Sequence, residues 1–342
     1  TNDGREEGSA DYAKEYFGEN KYNVINLYAT YNKEINKHKF TALVGYNKET
    51  NNYESFWANR DQLITSDLPN IALATGDQTV GWDYSDWALN GYFGRLNYMY
   101  NERYIIELNG RYDGSSRFPE DDRYGFFPSV ALTWIASKEF GESITKVMNQ
   151  LKFRVSTGSL GNQSVSDYGY INTMPTGQSG YLIDGDYPKA VYASGLGVDP
   201  NNYTWEKVVT NNFGVDMAFF DSALTLSLDN YFRKTIGMLT QSKELPGVLG
   251  TNPPRANAAD LQTSGWELTM GYNHDWQLGG SPFNFGASLI LSDNKTTITR
   301  FDNEGQLFSQ WREGAEVGEI WGLENDGFFQ NQEEIDALDE SA

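Results

Sequence analysis

The feature that most constrains this chain is a strict two-residue alternation running through a tight turn between residues 92 and 113. Tyr92, Gly94, Leu96, Tyr98 and Tyr100 share one parity, while Phe93, Arg95, Asn97 and Met99 share the other. After Asn101-Glu102-Arg103 the pattern resumes, with Tyr104, Ile106, Leu108, Gly110 and Tyr112 opposite Ile105, Glu107, Asn109, Arg111 and Asp113. Side chains on a strand point alternately to its two faces, so this is a pair of half-buried strands joined by a hairpin. A soluble sandwich would alternate in the same way. Tyr98, Tyr100 and Tyr104 crowd the turn, however, and aromatics gathered at strand ends are the arrangement of a membrane-interface girdle.

The same alternation marks Tyr22 to Tyr31, Phe40 to Lys48, Tyr124 to Ala136, Leu151 to Thr157, Trp205 to Phe219, Leu224 to Asp229, Trp266 to Tyr272 and Phe283 to Leu291. With the opening pair this predicts about ten strands. Residues 1 to 20 read as loop, and Pro128, which cannot donate to a ladder, belongs at a rim. Short connections fall near 32–39, 101–103, 137–150, 220–222 and 274–282, and longer ones between them, including 51–86, 114–122, 161–204 and 241–262. Turns at one end and long loops at the other define an all-β, antiparallel transmembrane barrel with periplasmic turns and extracellular loops. A mean hydropathy of -0.59 is compatible with this, because every second strand residue faces a polar lumen.

Composition narrows the chemistry. The 342 residues include no cysteine, which excludes a disulfide scaffold and cysteine-ligated metal. The 47 acidic against 26 basic residues argue against nucleic acid and against docking to an anionic lipid surface. No apolar run approaches the roughly 18 residues of a membrane helix. The first residues carry no signal region, and Asp336 to Ala342 read as an acidic helix rather than a closing strand.

Several words add an identity. Arg111-Tyr112-Asp113-Gly114-Ser115-Ser116-Arg117-Phe118 and Arg123-Tyr124-Gly125-Phe126-Phe127-Pro128-Ser129 closely resemble the barrel of SusC/RagA-type transporters, the TonB-dependent outer-membrane nutrient importers of the Bacteroidetes. Leu160-Gly161-Asn162-Gln163, Asp199-Pro200-Asn201-Asn202-Tyr203-Thr204-Trp205-Glu206-Lys207, Ser264-Gly265-Trp266-Glu267-Leu268 and Gly322-Leu323-Glu324-Asn325-Asp326-Gly327-Phe328-Phe329-Gln330 are similar to further family elements, in family order. Asp199 stands where Asn is commoner, and Leu323 where an aromatic is usual. The resemblance runs from about Asn20 to Ala337. It implies that residues 1–342 are a middle-to-late part of a barrel of the 22-strand class. The plug domain and TonB box would precede residue 1, and the closing strands would follow Ala342. It further implies an outer-membrane protein that imports oligosaccharides or peptides, partnered by a SusD-like surface lipoprotein and by TonB acting through the plug.

No enzyme chemistry, cofactor or metal site is expected. His38 and His274 fall in predicted turns, with no nucleophile and base arranged around them. Glu107 and Asp113, six residues apart on one strand face, would lie about 20 Å apart, too far for a glycosidase pair. Asp184-Gly185-Asp186 and Asp302-Asn303-Glu304-Gly305 lack the calcium-loop pattern. Glycines at 195, 197, 247 and 250 follow no strand-to-helix turn that would cradle phosphate. Arg95, Glu107, Arg111 and Asp113 share the predicted lumen face, with Arg117 in the loop above. They would brace the wall or grip a plug, with cargo contact as the alternative. Trp57, Trp82, Tyr181 and Trp311 are loop aromatics that could stack on sugar or peptide, or simply anchor loops. From Arg300 onward there are twelve acidic residues and two arginines, a net of -10. This is either a solvated face or a dock for the lipoprotein. A passive porin or structural barrel, and a soluble secreted glycan-binding module, remain the rival readings.

Overall fold

A computed structural model describes residues 11–141, 144, 146–172, 176–178, 189–191, 202–241, 254–305, 310–325 and 327–339. In chain order the strands are β1 (Tyr12–Ile35), β2 (His38–Asp61), β3 (Gln78–Tyr100), β4 (Tyr104–Ser115), β5 (Tyr124–Ile135), β6 (Met148–Asn162), β7 (Thr176–Gln178), β8 (Lys189–Val191), β9 (Glu206–Phe219), β10 (Leu224–Gln241), β11 (Arg255–Leu278) and β12 (Ser281–Arg300). Ten of them form one sheet in the order β1-β2-β3-β4-β5-β6-β9-β10-β11-β12, while β7 and β8 pair separately. Every neighbour is antiparallel, and β1 and β12 are the open edges of this sheet. A helix, α1 (Gln332–Asp339), follows. No helix among the described residues is long and apolar enough to cross a membrane, which says nothing about crossing by strands.

The outer face carries the lipid-facing pattern. Leu96, Ile106, Leu108, Val130 and Leu132 are exposed on one parity. Aromatic rows bound them on both sides. Near the short turns stand Tyr100, Tyr104, Trp134, Trp276 and Phe283, with Tyr100 and Tyr104 stacked at 6.5 Å and Trp276 and Phe283 at 5.9 Å. Eight residues along β4 lies Tyr112, stacked on Tyr124 at 5.2 Å. Eight residues at about 3.3 Å each, tilted about 40°, rise roughly 20 Å, close to the apolar band of an outer-membrane barrel. His38 belongs to the lower row rather than to a free turn: its Nδ1 lies 2.8 Å from the Tyr98 hydroxyl and its ring 4.9 Å from Tyr100.

The strands outrun the expected limits. Residues 12–20 belong to β1, and most of 51–86 is ladder, with β2 running to Asp61 and β3 starting at Gln78. β2 alone has 24 residues, whereas a tilted strand crosses a bilayer in about 9–11. Above the lipid both faces meet water, so the alternation fades while the backbone ladder continues. The connections still sort by end: Asn36-Lys37, 101–103, 136–147, Phe220–Ala223 and Gly279-Gly280 at one end, with 62–77, 116–123, 163–205 and 242–254 at the other. Their lengths alternate less strictly than expected, since 116–123 is shorter than 136–147. Gly279 and Gly280 take φ of 59° and 86°, the left-handed pair a two-residue hairpin turn needs. The ladder from β5 to β6 begins only at Ser129, so Pro128 sits just beyond it and costs no bond there.

Above the band the loops close a small apolar core. Phe118, Phe127, Tyr203 and Trp205 are buried together, with Leu89, Val165, Tyr170 and Leu239 against them. Burying each such aromatic contributes about 2 to 3 kcal/mol, enough to hold three loop segments in place.

Candidate functional site

On the inner face the wall residues form separate ionic clusters rather than one chain. Arg95 donates from Nε to Asn109 Oδ1 at 2.7 Å and stands 3.8 Å from Glu107, which also accepts from Asn97 and Asn109. Arg111 grips Asp113 through two bonds of 3.0 and 2.8 Å and lies 5.3 Å over the Phe93 ring. Arg117 turns away from both: it bonds Asp167 at 2.7 Å and covers Trp87 at 4.8 Å. The five expected residues therefore fall into three groups. Arg95, Glu107 and Arg111 line a groove of about 660 Å³ with Phe127, Ser129 and Ser156.

A more densely bonded cluster lies further round the wall. Arg154 on β6 bonds Asp216 on β9 at 2.9 Å through Nε and a terminal nitrogen, and Asp229 on β10 at 3.1 and 2.9 Å. Lys152 stands 3.3 Å from Asp216, Ser227 donates to Asp216 at 2.8 Å, and Asn212 donates to Asp229 at 2.9 Å. Planar guanidinium forks suit this geometry, because two carboxylates can be met bidentately at once. The sequence signal was available. Lys152, Arg154, Asp216 and Asp229 all lie on the parity opposite the apolar residues of their strands, but β6 and β9 become neighbours only across the connection 163–205.

The aromatic candidates scatter. Trp57 and Trp82 are strand residues, contrary to their expected place in a loop, because β2 and β3 continue past the lipid. They occupy opposite faces, since Trp57 pairs with Gly81 and Phe56 with Trp82. The Trp57 ring covers Gly81 and receives Lys14 Nζ at 4.4 Å. Trp82 donates from Nε1 to Glu54 at 2.9 Å and stacks on Tyr84 at 5.7 Å. Trp311 packs edge-on against Phe301 at 6.0 Å, its carbonyl accepting from Asn303. Tyr181, Asp184 to Asp186, and the glycines at 195, 197, 247 and 250 lie outside the described residues.

Sequence reasoning missed a second device, the clasp that seats the Tyr203-Thr204-Trp205 word. The buried Asn257 side chain accepts from Thr204 N–H at 2.9 Å and donates to the carbonyls of Thr204 and Gly237. Trp205 Nε1 donates to the Arg123 carbonyl at 2.9 Å. Asp260 accepts from Gly237 N–H at 2.7 Å and is gripped by Arg300 at 2.8 and 2.9 Å. At the opposite end, Lys138 and then Lys39 bond the Glu102 carboxyl at 2.6 and 3.3 Å and hold it below its ordinary range.

A girdled outer face, an ion-paired inner face and loops interlocked at one end define the wall of a transmembrane transport barrel. The model of the family described as TonB dependent receptor-like, beta-barrel, matches residues 1–324, and the chain belongs to that family. TonB-dependent receptor P3 of Formosa agariphila is 29% identical over 319 residues, covering 89% of this chain and 31% of that protein. TonB-dependent receptor SusC of Bacteroides thetaiotaomicron is 30% identical over 303 residues, covering 84% of this chain and 29% of its own length. Among solved structures, the RagAB peptide transporter superposes with a TM-score of 0.74 at 22% identity, over 84% of this chain and 31% of that one. The RagAB importer in its open-open state gives 0.74 at 23% identity. These structures share the fold. The chain spans about a third of the length of the curated relatives it matches. TonB-dependent receptors are outer-membrane transport proteins, not enzymes.

Proposed function

We propose that these strands are one section of a plugged outer-membrane importer that takes up oligosaccharides or peptides with energy delivered by TonB. The plug and closing strands of the 22-strand class would belong to the same polypeptide outside residues 1–342. The observation that carries this reading is the inner wall. Its charges are paired in fixed clusters on β3, β4, β6, β9 and β10, which suits a surface that holds a plug and guides polar cargo. A SusD-like lipoprotein would cover the loop end. The acidic region from Asp302 onward supports that role, since Glu316 pairs with Lys295 at 2.8 Å and Arg312 with Glu319 at 3.5 Å, leaving the region strongly negative.

Uptake of labelled oligosaccharides and oligopeptides by cells with and without the protein, before and after the proton gradient is collapsed, tests the reading. Protein-dependent uptake of either class that stops on collapse supports it. Protein-dependent uptake that survives collapse would favour a passive porin. For the partner, lipoprotein capture undiminished by deletion of residues 302–318 would remove the proposed docking surface.

A further inference from the structure

Above the lipid, β1, β2 and the first half of β3 stand as a three-stranded paddle, fully paired from Tyr12↔Asp61 and from Arg60↔Gln78 downward. Its tip is tied by Asp61 N–H to Asp77 O at 3.2 Å, Gly76 N–H to Asp61 O at 2.8 Å and Gln62 N–H to Asp11 O at 2.7 Å. On the other side of β3 the partner stops early. Pairing with β4 ends at Leu89↔Ser115, after which the chain turns into 116–123. Two further contacts continue that edge: Ala88 exchanges bonds with Ser116, and Asp86 N–H donates to the Tyr168 hydroxyl at 3.0 Å.

Alternate residues of a strand direct both backbone groups to the same neighbour. Ala88 and Asp86 mark the set that points away from β2, so Tyr84, Trp82 and Val80 continue it. Among the described residues nothing bonds the backbone groups of these three on that side. The edge begins where its neighbour β4 ends, at Ser115. It does not carry the usual protection of proline, lysine or a bulge. Val80, Trp82 and Tyr84 are 70%, 60% and 45% exposed on the outer face, where Glu54 is already bonded by the Trp82 indole and Asp86 by the Tyr168 hydroxyl, while Asp83 lies on the inner face.

We propose that the upper edge of β3, from Val80 to Tyr84, is a strand-addition site for an extended peptide that alternates apolar and basic residues. Main-chain bonds to Val80, Trp82 and Tyr84 would hold the added strand. Its apolar side chains would lie beside Trp82 and Tyr84, and its basic ones beside Asp83. A register shift by one residue would exchange the two faces, so the alternation itself sets the register. The paddle is already paired along β1, β2 and β3, so little ordering cost falls on the protein.

The test is fluorescence anisotropy on the full-length, detergent-solubilised protein, with a labelled hexapeptide alternating lysine and valine as probe. Two further forms of the probe, N-methylated on one or the other alternate set of backbone nitrogens, need no variant protein. Binding of the unmodified probe, lost at least about tenfold in one methylated form, is the expected result. Trp82→Pro removes the indole and the edge N–H and should lower affinity by at least about tenfold, whereas Trp82→Val removes the indole but keeps the N–H and should stay within about threefold. No binding of the unmodified probe overturns the proposal. So does equal binding of both methylated forms, or an equal loss in Trp82→Pro and Trp82→Val.

Discussion

The guanidinium of Arg154 lies across the backbone of Gly214, so close that a Cβ there would stand 2.7 Å from Arg154 Cζ and 2.6 Å from Asp229 Oδ1. Gly214 is the residue of β9 paired directly with both Arg154 and Asp229, and its missing side chain is what lets one arginine meet carboxylates on two other strands. Gly214→Ala should push the guanidinium off at least one of its forks and destabilise the barrel by about 1 to 2 kcal/mol. Urea unfolding in detergent measures this, and an unchanged midpoint would show that the cluster shifts freely.

Removing the arginine is the harsher change. Arg154→Ala leaves Asp216 and Asp229 facing each other with Lys152 as the nearby cation and the Ser227 and Asn212 donors in place. The side chains are between a fifth and a third exposed, so the loss should be about 2 kcal/mol rather than the 3 to 5 of a fully buried pair. Arg154→Lys should recover less than half of it, since an ammonium cannot fork to two carboxylates. The same unfolding series separates the two variants.

Asn257→Ala should loosen the loop end without opening the lipid band. It removes the acceptor for Thr204 N–H and the donor to two carbonyls, at about 2 to 3 kcal/mol of local stability. Limited proteolysis should then cut near Tyr203 to Trp205 well before the strands are attacked, and hydrogen exchange at Thr204 should rise. Unchanged protection there would mean that the aromatic core alone seats the segment.

How far these features could be read from the sequence depended on where the lipid stops. Leu96 and Leu108, or Arg95 and Asn109, face each other as the alternation implies, because inside the membrane one face must be apolar and the other polar. Beyond Lys48 no such demand exists, so nothing in Asn51, Asn52 or Asn59 distinguishes a strand from a loop, and Trp57 and Trp82 read as loop aromatics. The charged pairs followed the same rule. Arg111 and Asp113 share a strand and were visible together, whereas Arg154 finds Asp216 and Asp229 only through pairing across a long connection. The Asn257 clasp depends on backbone carbonyls, which no side-chain pattern reveals.

Below the membrane, pH should act on the turn at Glu102. Its carboxyl is held under its ordinary value first by the bond from Lys138 and then by Lys39. A carboxyl depressed in the folded state contributes stability above its unfolded value, and that contribution disappears as pH falls through the folded one. Melting temperature should therefore drop between pH 5 and 3, roughly, with part of the drop absent in Glu102→Gln. Because the group is exposed the difference should be small and should shrink in high salt; equal slopes for both proteins would show that the bonds carry no stability.

The face assignment carries a sharper cost. Leu108→Arg, at the middle of the outer band, should destabilise by about 2 to 4 kcal/mol, whereas Asn109→Arg on the inner face should cost under about 1. Refolding into bilayers followed by denaturant titration gives both values, and similar losses would mean that the two faces are not so different.

The measurement that bears most directly on the membrane wall is spin-label accessibility along β4. The chain contains no cysteine, so Ile105→Cys, Ile106→Cys, Glu107→Cys, Leu108→Cys and Asn109→Cys can each carry a single label within it. In bilayers, labels at 106 and 108 should relax with lipid-dissolved oxygen, and those at 105, 107 and 109 with a water-soluble nickel chelate. Absence of a two-residue period, or the opposite parity, would contradict a barrel wall with Ile106 and Leu108 in lipid and Glu107 and Asn109 in the lumen.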